Sequence, residues 1–354
     1  MKSVRRLAGA VVAVLASLVL VSCGGETEPE AELDAGLKVI GAGATFPEPL
    51  YQRWLDRYPR GDGDLAFAYD GVGSGAGIKR FIAAEVDFGA SDAAMNDAEI
   101  AQVERGVKLI PMTAGMVVLA YNLPGVDGPL RLPRDVYVDI FLGKIWRWDD
   151  PRILAANPDL ELPSKLIQTV ARRDGSGTTF AFTNHLSTIS AAWREEGPGT
   201  GKLIDWPGGA MTGSGNEGVA QKVKISHGSI GYMEYGFAKR LGLPMAVLEN
   251  LAGAFVAPGA ESGRAAIAAA ASEDLPENLR LFLPDPAGPA SYPIVSLSWI
   301  LAYQSYPDAG KAAALQGLLN WGLDAGQAIA EEMGYIPLPS EITAQAAAAV
   351  ASIR

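Results

Sequence analysis

The stretch IQTVARRDGSGTT, residues 167–179, reads as a strand, Ile167–Ala171, then a turn of charged, small and hydroxyl residues, then a helix that continues through Leu186. The same order of parts occurs twice earlier in the chain. Leu37–Ile40 reads as a strand, Gly41-Ala42-Gly43-Ala44 as a tight turn, and Thr45 as the N-cap of a helix whose first turn takes Pro47 and Pro49. Tyr51, Trp54, Leu55 and Tyr58 follow at helical spacing. Leu65–Tyr69 reads as a strand running into Gly71-Val72-Gly73-Ser74-Gly75-Ala76-Gly77 and a helix over Ile78–Ala84. Val86–Ala90, Met116–Tyr121 and Ser229–Met233 add strands; Pro133–Leu142, Val219–Lys224, Ala265–Ala271 and Ala346–Ala351 add helices. Strands alternating with helices predict an α/β architecture with mainly parallel sheets.

Composition narrows the function. The chain has 354 residues, with 29 Lys+Arg against 40 Asp+Glu and a formal charge of −11. Hydrophobic residues at 49% and charged residues at 19% describe a globular chain. A single core stops growing near ~250–300 residues, so two domains are expected. The acidic balance excludes the basic face of a nucleic-acid binder. Two His, one Cys and no CxxC pair leave little for a zinc site, and no cofactor is implied. There is no GxxxxGK[ST] loop and no GxSxG elbow. Gly71-x-Gly73-x-x-Ala76 matches part of a dinucleotide fingerprint, a pattern that glycine-rich turns meet often. His185 has no Ser or Cys beside it in a recognisable catalytic setting and reads as a packing or surface residue.

The N-terminus reads as an export signal. Lys2, Arg5 and Arg6 precede an uncharged apolar run, Leu7–Val21, too short for an ordinary span of ~20 residues. The run ends in Leu20-Val21-Ser22-Cys23, which resembles a lipoprotein lipobox, with cleavage before an acylated Cys23. Loss of residues 1–22 removes three basic groups and takes the charge from −11 to −14. Residues 23–36 then form the lipidated Cys and an acidic tether with Glu26, Glu28, Glu30, Glu32 and Asp34. Two or more acyl chains on Cys23 would hold the protein at a lipid bilayer.

Three glycine-and-hydroxyl turns, Ala44-Thr45-Phe46, Gly73-Ser74-Gly75 and Ser176-Gly177-Thr178, each stand between a strand and a helix. N–H groups at a helix start carry partial positive charge and lack internal partners. Small residues let an oxyanion approach them closely. One such turn is ordinary capping; three, with Arg172 and Asp174 beside one of them, point to an anion site.

These segments, in order and spacing, resemble the periplasmic phosphate-binding proteins of bacterial phosphate ABC transporters. The resemblance rests on Gly41-Ala42-Gly43-Ala44-Thr45-Phe46-Pro47, Tyr69-x-Gly71-Val72-Gly73-Ser74-Gly75, Val86-Asp87-Phe88-Gly89-Ala90-Ser91-Asp92 and Arg172-x-Asp174-Gly175-Ser176-Gly177-Thr178. Phe141-Leu142-Gly143-Lys144-Ile145, Gly215-Asn216-Glu217-Gly218-Val219, Gly231-Tyr232-x-Glu234-Tyr235 and Tyr292-Pro293-Ile294 extend it. It implies two α/β lobes joined by crossover strands, residues 37–121 with 292–354 and residues 122–291, closing over one phosphate. It implies donors from Thr45, Phe46, Ser74, Ser176, Gly177 and Thr178, a charged contact from Arg172 held by Asp174, and Asp92 facing the ligand. It also implies a monomer that delivers phosphate to the permease and ATPase subunits of an importer. Rival readings are a receptor for another tetrahedral oxyanion, a phosphate-sensing module and a secreted phosphatase. Gly75-Ala76-Gly77 departs from the family's usual Ser/Gly run, and Arg173 beside Arg172 leaves the inward arginine to be inferred from its spacing to Asp174.

A carboxylate beside an anion repels it unless the anion brings a proton. Phosphate carries one at neutral pH and sulfate does not, so Asp92 implies preference for phosphate over sulfate.

Overall fold

The structure, a computed structural model, describes residues 36–60, 65–271 and 276–354. The signal segment, Cys23 and all but the last residue of the tether lie outside the described residues. Residues 36–354 form one compact unit. Among the described residues, no helix is long and apolar enough to cross a membrane.

The strands are β1 (Lys38–Gly43), β2 (Ala66–Gly71), β3 (Phe88–Ser91), β4 (Val107–Tyr121), β5 (Arg131–Leu132), β6 (Gln168–Arg172), β7 (Met211–Gly213), β8 (Ser229–Glu234), β9 (Val247–Glu249), β10 (Phe255–Val256) and β11 (Val295–Tyr303). Eight of them form one sheet in the order β2-β1-β3-β11-β4-β8-β6-β7, and β10-β9-β5 form a small second one. β1 pairs with β2 and β3 in parallel, as β6 does with β7 and β8. The pairs through the middle, β3–β11, β11–β4 and β4–β8, are antiparallel. The α/β class holds, and the sheet is mixed rather than mainly parallel.

β4 joins the two halves. Its 15 residues run almost continuously apolar and buried, as a strand covered on both faces should. Val107 to Met116 pair with β11, and Val117 to Tyr121 pair with β8. Pro111, ahead of the strand that the sequence predicts over Met116–Tyr121, lies inside β4. The register shifts there, with Ser298 opposite Thr113 and Trp299 opposite Pro111, so the bulge falls where proline lacks a donor. β11 is buried along its whole length and was not anticipated, because a short apolar run has no period of its own. The helices Ala309–Leu323 and Ala325–Met333 were not anticipated either.

The turn expected at Gly41–Ala44 is displaced. Gly41, Ala42 and Gly43 extend β1, and the helix begins at Glu48 after Pro47, so Thr45 is not its cap. Close packing is the reason. A Cβ on Gly41 would lie 2.1 Å from the Phe88 ring, and one on Gly43 2.1 Å from the Ala90 carbonyl oxygen. The glycines serve sheet packing, and the bend moves on to Thr45–Pro47.

Gly77, in the helix Ser74–Ile82, crosses this strand so closely that a Cβ would sit 2.4 Å from the Gly43 Cα and 2.9 Å from the Ala42 oxygen. Alanine normally gains roughly 0.5–1 kcal/mol over glycine in a helix. Here it meets rigid backbone, and overpacking costs about 1–3 kcal/mol. Gly77→Ala is therefore expected to lower the denaturant midpoint; an equal or higher midpoint would show that β1 yields to the methyl group.

Candidate functional site

The three turns converge. The Gly75 N–H donates to the Gly175 carbonyl at 2.8 Å. A Cβ on Gly75 would lie 3.0 Å from the Gly175 Cα, and one on Gly175 3.1 Å from the Gly75 Cα. Gly73 takes a φ of +89° to start the helix Ser74–Ile82, and a Cβ there would meet Asp174 Oδ2 at 2.5 Å. On Gly177 a Cβ would lie 2.6 Å from the Asp92 Cβ and 2.7 Å from Ser74 Oγ. Backbone from β2, β3 and β6 thus meets with space for hydrogen atoms only. A side chain at position 75 would be tight against Gly175 and fit only if that backbone gave by a few tenths of an ångström.

The sequence-singled residues all arrive at this junction. Thr45, Ser74, Asp92, Arg172, Ser176 and Thr178 are polar yet buried. Among the described residues, the Phe46 N–H meets no protein acceptor, while its carbonyl accepts from the Tyr335 hydroxyl at 2.8 Å. Ser74 Oγ accepts from the Asp92 N–H at 3.3 Å. Ser176 Oγ caps the helix Gly177–Ile189 by accepting from the Thr179 N–H at 3.0 Å, which leaves its own hydrogen free for another acceptor. The Gly177 and Thr178 N–H groups, at the first two helical positions, have no intrahelical acceptor. Of the two neighbouring arginines, Arg172 is 2% exposed, whereas Arg173 is exposed and reaches Ser214 Oγ at 2.5 Å.

The charges are paired or neutralised. Arg172 Nε donates to Asp174 Oδ1 at 2.8 Å, and its Nη2 to Oδ2. Asp174 also accepts from the Gly215 N–H at 3.0 Å. Burial pushes the Asp174 carboxyl up, but the Arg172 contact and the backbone N–H outweigh it and hold the group below the ordinary range. Asp92 differs. Its Oδ1 accepts from Ser298 Oγ at 2.8 Å and its carbonyl from Ser296 Oγ at 3.2 Å. Burial pushes it up to about 7, against the pull of Ser298 and Arg172. It therefore changes between proton donor and acceptor near neutral pH.

Sequence reasoning missed several supports. Asn216, Tyr232 and Glu234 stood in quoted motifs without a role. Asn216 is fully buried and bonds to both Thr45 and Thr178. The Tyr232 hydroxyl accepts from the Arg172 N–H at 3.0 Å and lies 2.6 Å from Thr179 Oγ1. Ser298 carried no signal, since β11 itself was not recognised. His185 is a packing residue: Nδ1 donates to the Pro284 carbonyl at 2.5 Å, so Nε2 accepts from the Tyr137 hydroxyl at 2.7 Å. Burial lowers it to about 4 and keeps it neutral.

Chemically, this is a closed set of hydroxyl and N–H donors, one arginine and one carboxyl able to accept a proton, suited to hold a small oxyanion. Among the described residues, no group of three or more His, Cys, Asp or Glu could hold a metal ion.

Glu234, also fully buried, has an unpartnered Oε2 and is pushed up to about 8 by burial. Its folded pKa lies above its unfolded value, so its stabilisation is full below about 4.5 and is lost as pH rises toward 8. Glu234→Gln is expected to flatten the decline of unfolding free energy between pH 5 and 8 in ligand-free protein; parallel pH curves for both proteins would refute this.

The model of the PBP superfamily domain matches residues 28–325. The chain is similar to the phosphate-binding protein PstS of Xylella fastidiosa strain 9a5c, with 40% identity over 320 residues covering 90% of this chain and 86% of that one. It is also similar to PstS of Methanocaldococcus jannaschii, with 35% identity over 90% of this chain and 87% of that one. Among solved structures, a high-affinity periplasmic phosphate-binding protein (PfluDING) bound with phosphate aligns with a TM-score of 0.72 at 22% identity, covering 88% of this chain and 93% of that one. A phosphate-binding protein from Stenotrophomonas maltophilia aligns with a TM-score of 0.69 at 20% identity, over 88% and 93% of the two chains.

Proposed function

The chain belongs to the PBP superfamily and, within it, to the phosphate-binding proteins named PstS, and from that premise we infer that it captures inorganic phosphate outside the cytoplasm for an ABC importer. Asp92 carries the reading: a single carboxyl, buried among donors, with one oxygen already held by Ser298. Its free oxygen accepts the proton that phosphate brings. Thr45, Phe46, Ser74, Ser176, Gly177 and Thr178 supply hydrogen bonds to the remaining oxygens, and Arg172, oriented by Asp174, supplies charge. Affinity comes from these aimed donors, so a net charge of −11 is no obstacle.

The lobes, residues 37–121 with 292–354 and residues 122–291, close by hinge motion over the anion. Residues 1–22 serve as a lipoprotein signal and Cys23 is acylated, anchoring a monomer at the membrane through the acidic tether. The permease and ATPase subunits of the importer are the partners, and the protein performs no chemistry on phosphate. A phosphatase would need metal ligands or an activated nucleophile.

Calorimetric titration of a soluble Cys23→Ser protein lacking residues 1–22 and stripped of anion tests the reading. One-to-one phosphate binding is expected; absence of binding would refute it. Tritiated palmitate labelling of the full chain, lost in Cys23→Ser, tests the anchor.

The proton on Asp92 gives a sharper outcome. Above pH 7 the carboxylate and a sulfate oxygen meet as two acceptors; below it, protonated Asp92 can donate to sulfate. Sites built around a hydrogen bond reject an analogue lacking it by about 10⁴–10⁵. Sulfate affinity is expected to fall as pH rises through 7 while phosphate binding persists. Asp92→Asn, whose amide donates at every pH, is expected to flatten the sulfate profile and reduce discrimination by about a hundredfold or more. Unchanged discrimination in that variant would sink the role of Asp92.

A further inference from the structure

We propose that Asn216 is a positioning residue that forces the hydroxyls of Thr45 and Thr178 to act as donors toward the bound anion. The inference rests on the phosphate reading and adds a residue to it. Asn216 lies on the helix Gly215–Ile225, beside β8, whereas Thr45 follows β1 on the far side of the sheet.

The orientation of its amide is fixed by a group that can only donate. The Glu234 backbone N–H reaches one end of the side chain at 2.9 Å, so that end is Oδ1. The other end is Nδ2, and its two hydrogens go to Thr45 Oγ1 at 3.0 Å and Thr178 Oγ1 at 3.2 Å. The Asn216 backbone N–H adds a second bond to Thr45 Oγ1 at 3.1 Å. A hydroxyl has two lone pairs and one hydrogen. Both lone pairs of Thr45 are occupied, so its hydrogen must go to another acceptor. Thr178 receives one bond from Nδ2, and its best protein alternative as a donor is Asn216 Oδ1, at 3.5 Å. A backbone N–H of β8 thus sets the sense of two hydroxyls. An unfixed hydroxyl binds an anion only after rotating away from other acceptors; these two are set beforehand.

The test is a double-mutant cycle read by phosphate titration of the full folded chain without its signal and anchor, from micromolar to millimolar phosphate. Asn216→Ala is expected to weaken phosphate binding at least about tenfold, one hydrogen bond's worth. In a Thr45→Val, Thr178→Val background the same substitution is expected to change affinity less than about threefold, since the groups through which it acts are gone. Equal losses in both backgrounds would assign Asn216 to scaffolding and overturn the proposal, as would wild-type affinity in Asn216→Ala. Should Asn216→Ala fail to fold, Asn216→Asp, of nearly the same shape, decides. Its second oxygen accepts the threonine hydrogens, so its loss is expected to exceed tenfold and to be largely abolished in the double-valine background; an equal loss there would leave only charge repulsion. If the wild-type protein binds no phosphate, the functional reading fails; if it binds and the cycle is additive, only the role of Asn216 fails.

Discussion

Arg172 and Asp174 hold the site together. A guanidinium buried to 2% exposure needs a partner, and Asp174 satisfies it through two oxygens. The same carboxylate accepts from the Gly215 N–H and sits where a Cβ on Gly73 would go. One ion pair therefore determines where three turns stand: the end of β6, the start of the helix Gly215–Ile225 and the start of the helix Ser74–Ile82. With Asp174 neutralised by Arg172, burial outweighs the pull of Ser298 and Arg172 on Asp92 and lets it keep its proton until about pH 7. Ion pair and carboxyl are then complementary: one supplies an oriented guanidinium whose charge Asp174 balances, the other a group that can take a proton.

The legible part of the sequence was the part governed by local rules. A strand, a small-residue turn and a helix are each set by neighbours within a few residues, so Gln168–Arg172 and Gly177–Ile189 fell close to their expected places. Spacing to Asp174 also sufficed to choose Arg172 over Arg173, because two residues apart on an extended end puts both side chains on one face. What escaped was set at long range. Gly41 and Gly43 read as a turn and are strand, because the facing elements are Phe88 and Ala90, about 47 residues away. β11 escaped because an apolar run between two covering layers carries no alternation. With it went Ser298, more than 200 residues from the carboxylate it bonds. Asn216 was visible as a letter in a motif, but its role depends on a backbone N–H of β8 and two hydroxyls that only the fold assembles.

The glycine contacts set how this protein can change over generations. At positions 73, 77 and 177 a methyl group, the smallest addition a mutation can make, is already larger than the gap it would enter. Substitution there is a step, not a gradient, and selection can only keep or discard it. Finer adjustment must come from the polar residues standing behind that wall, such as Ser298, Asn216 and Tyr232, where trading one hydroxyl or amide for another alters the strength of a bond without moving the backbone. The geometry thus divides the site into letters that cannot drift and letters that can, and places the second kind one residue removed from the donors that line the junction.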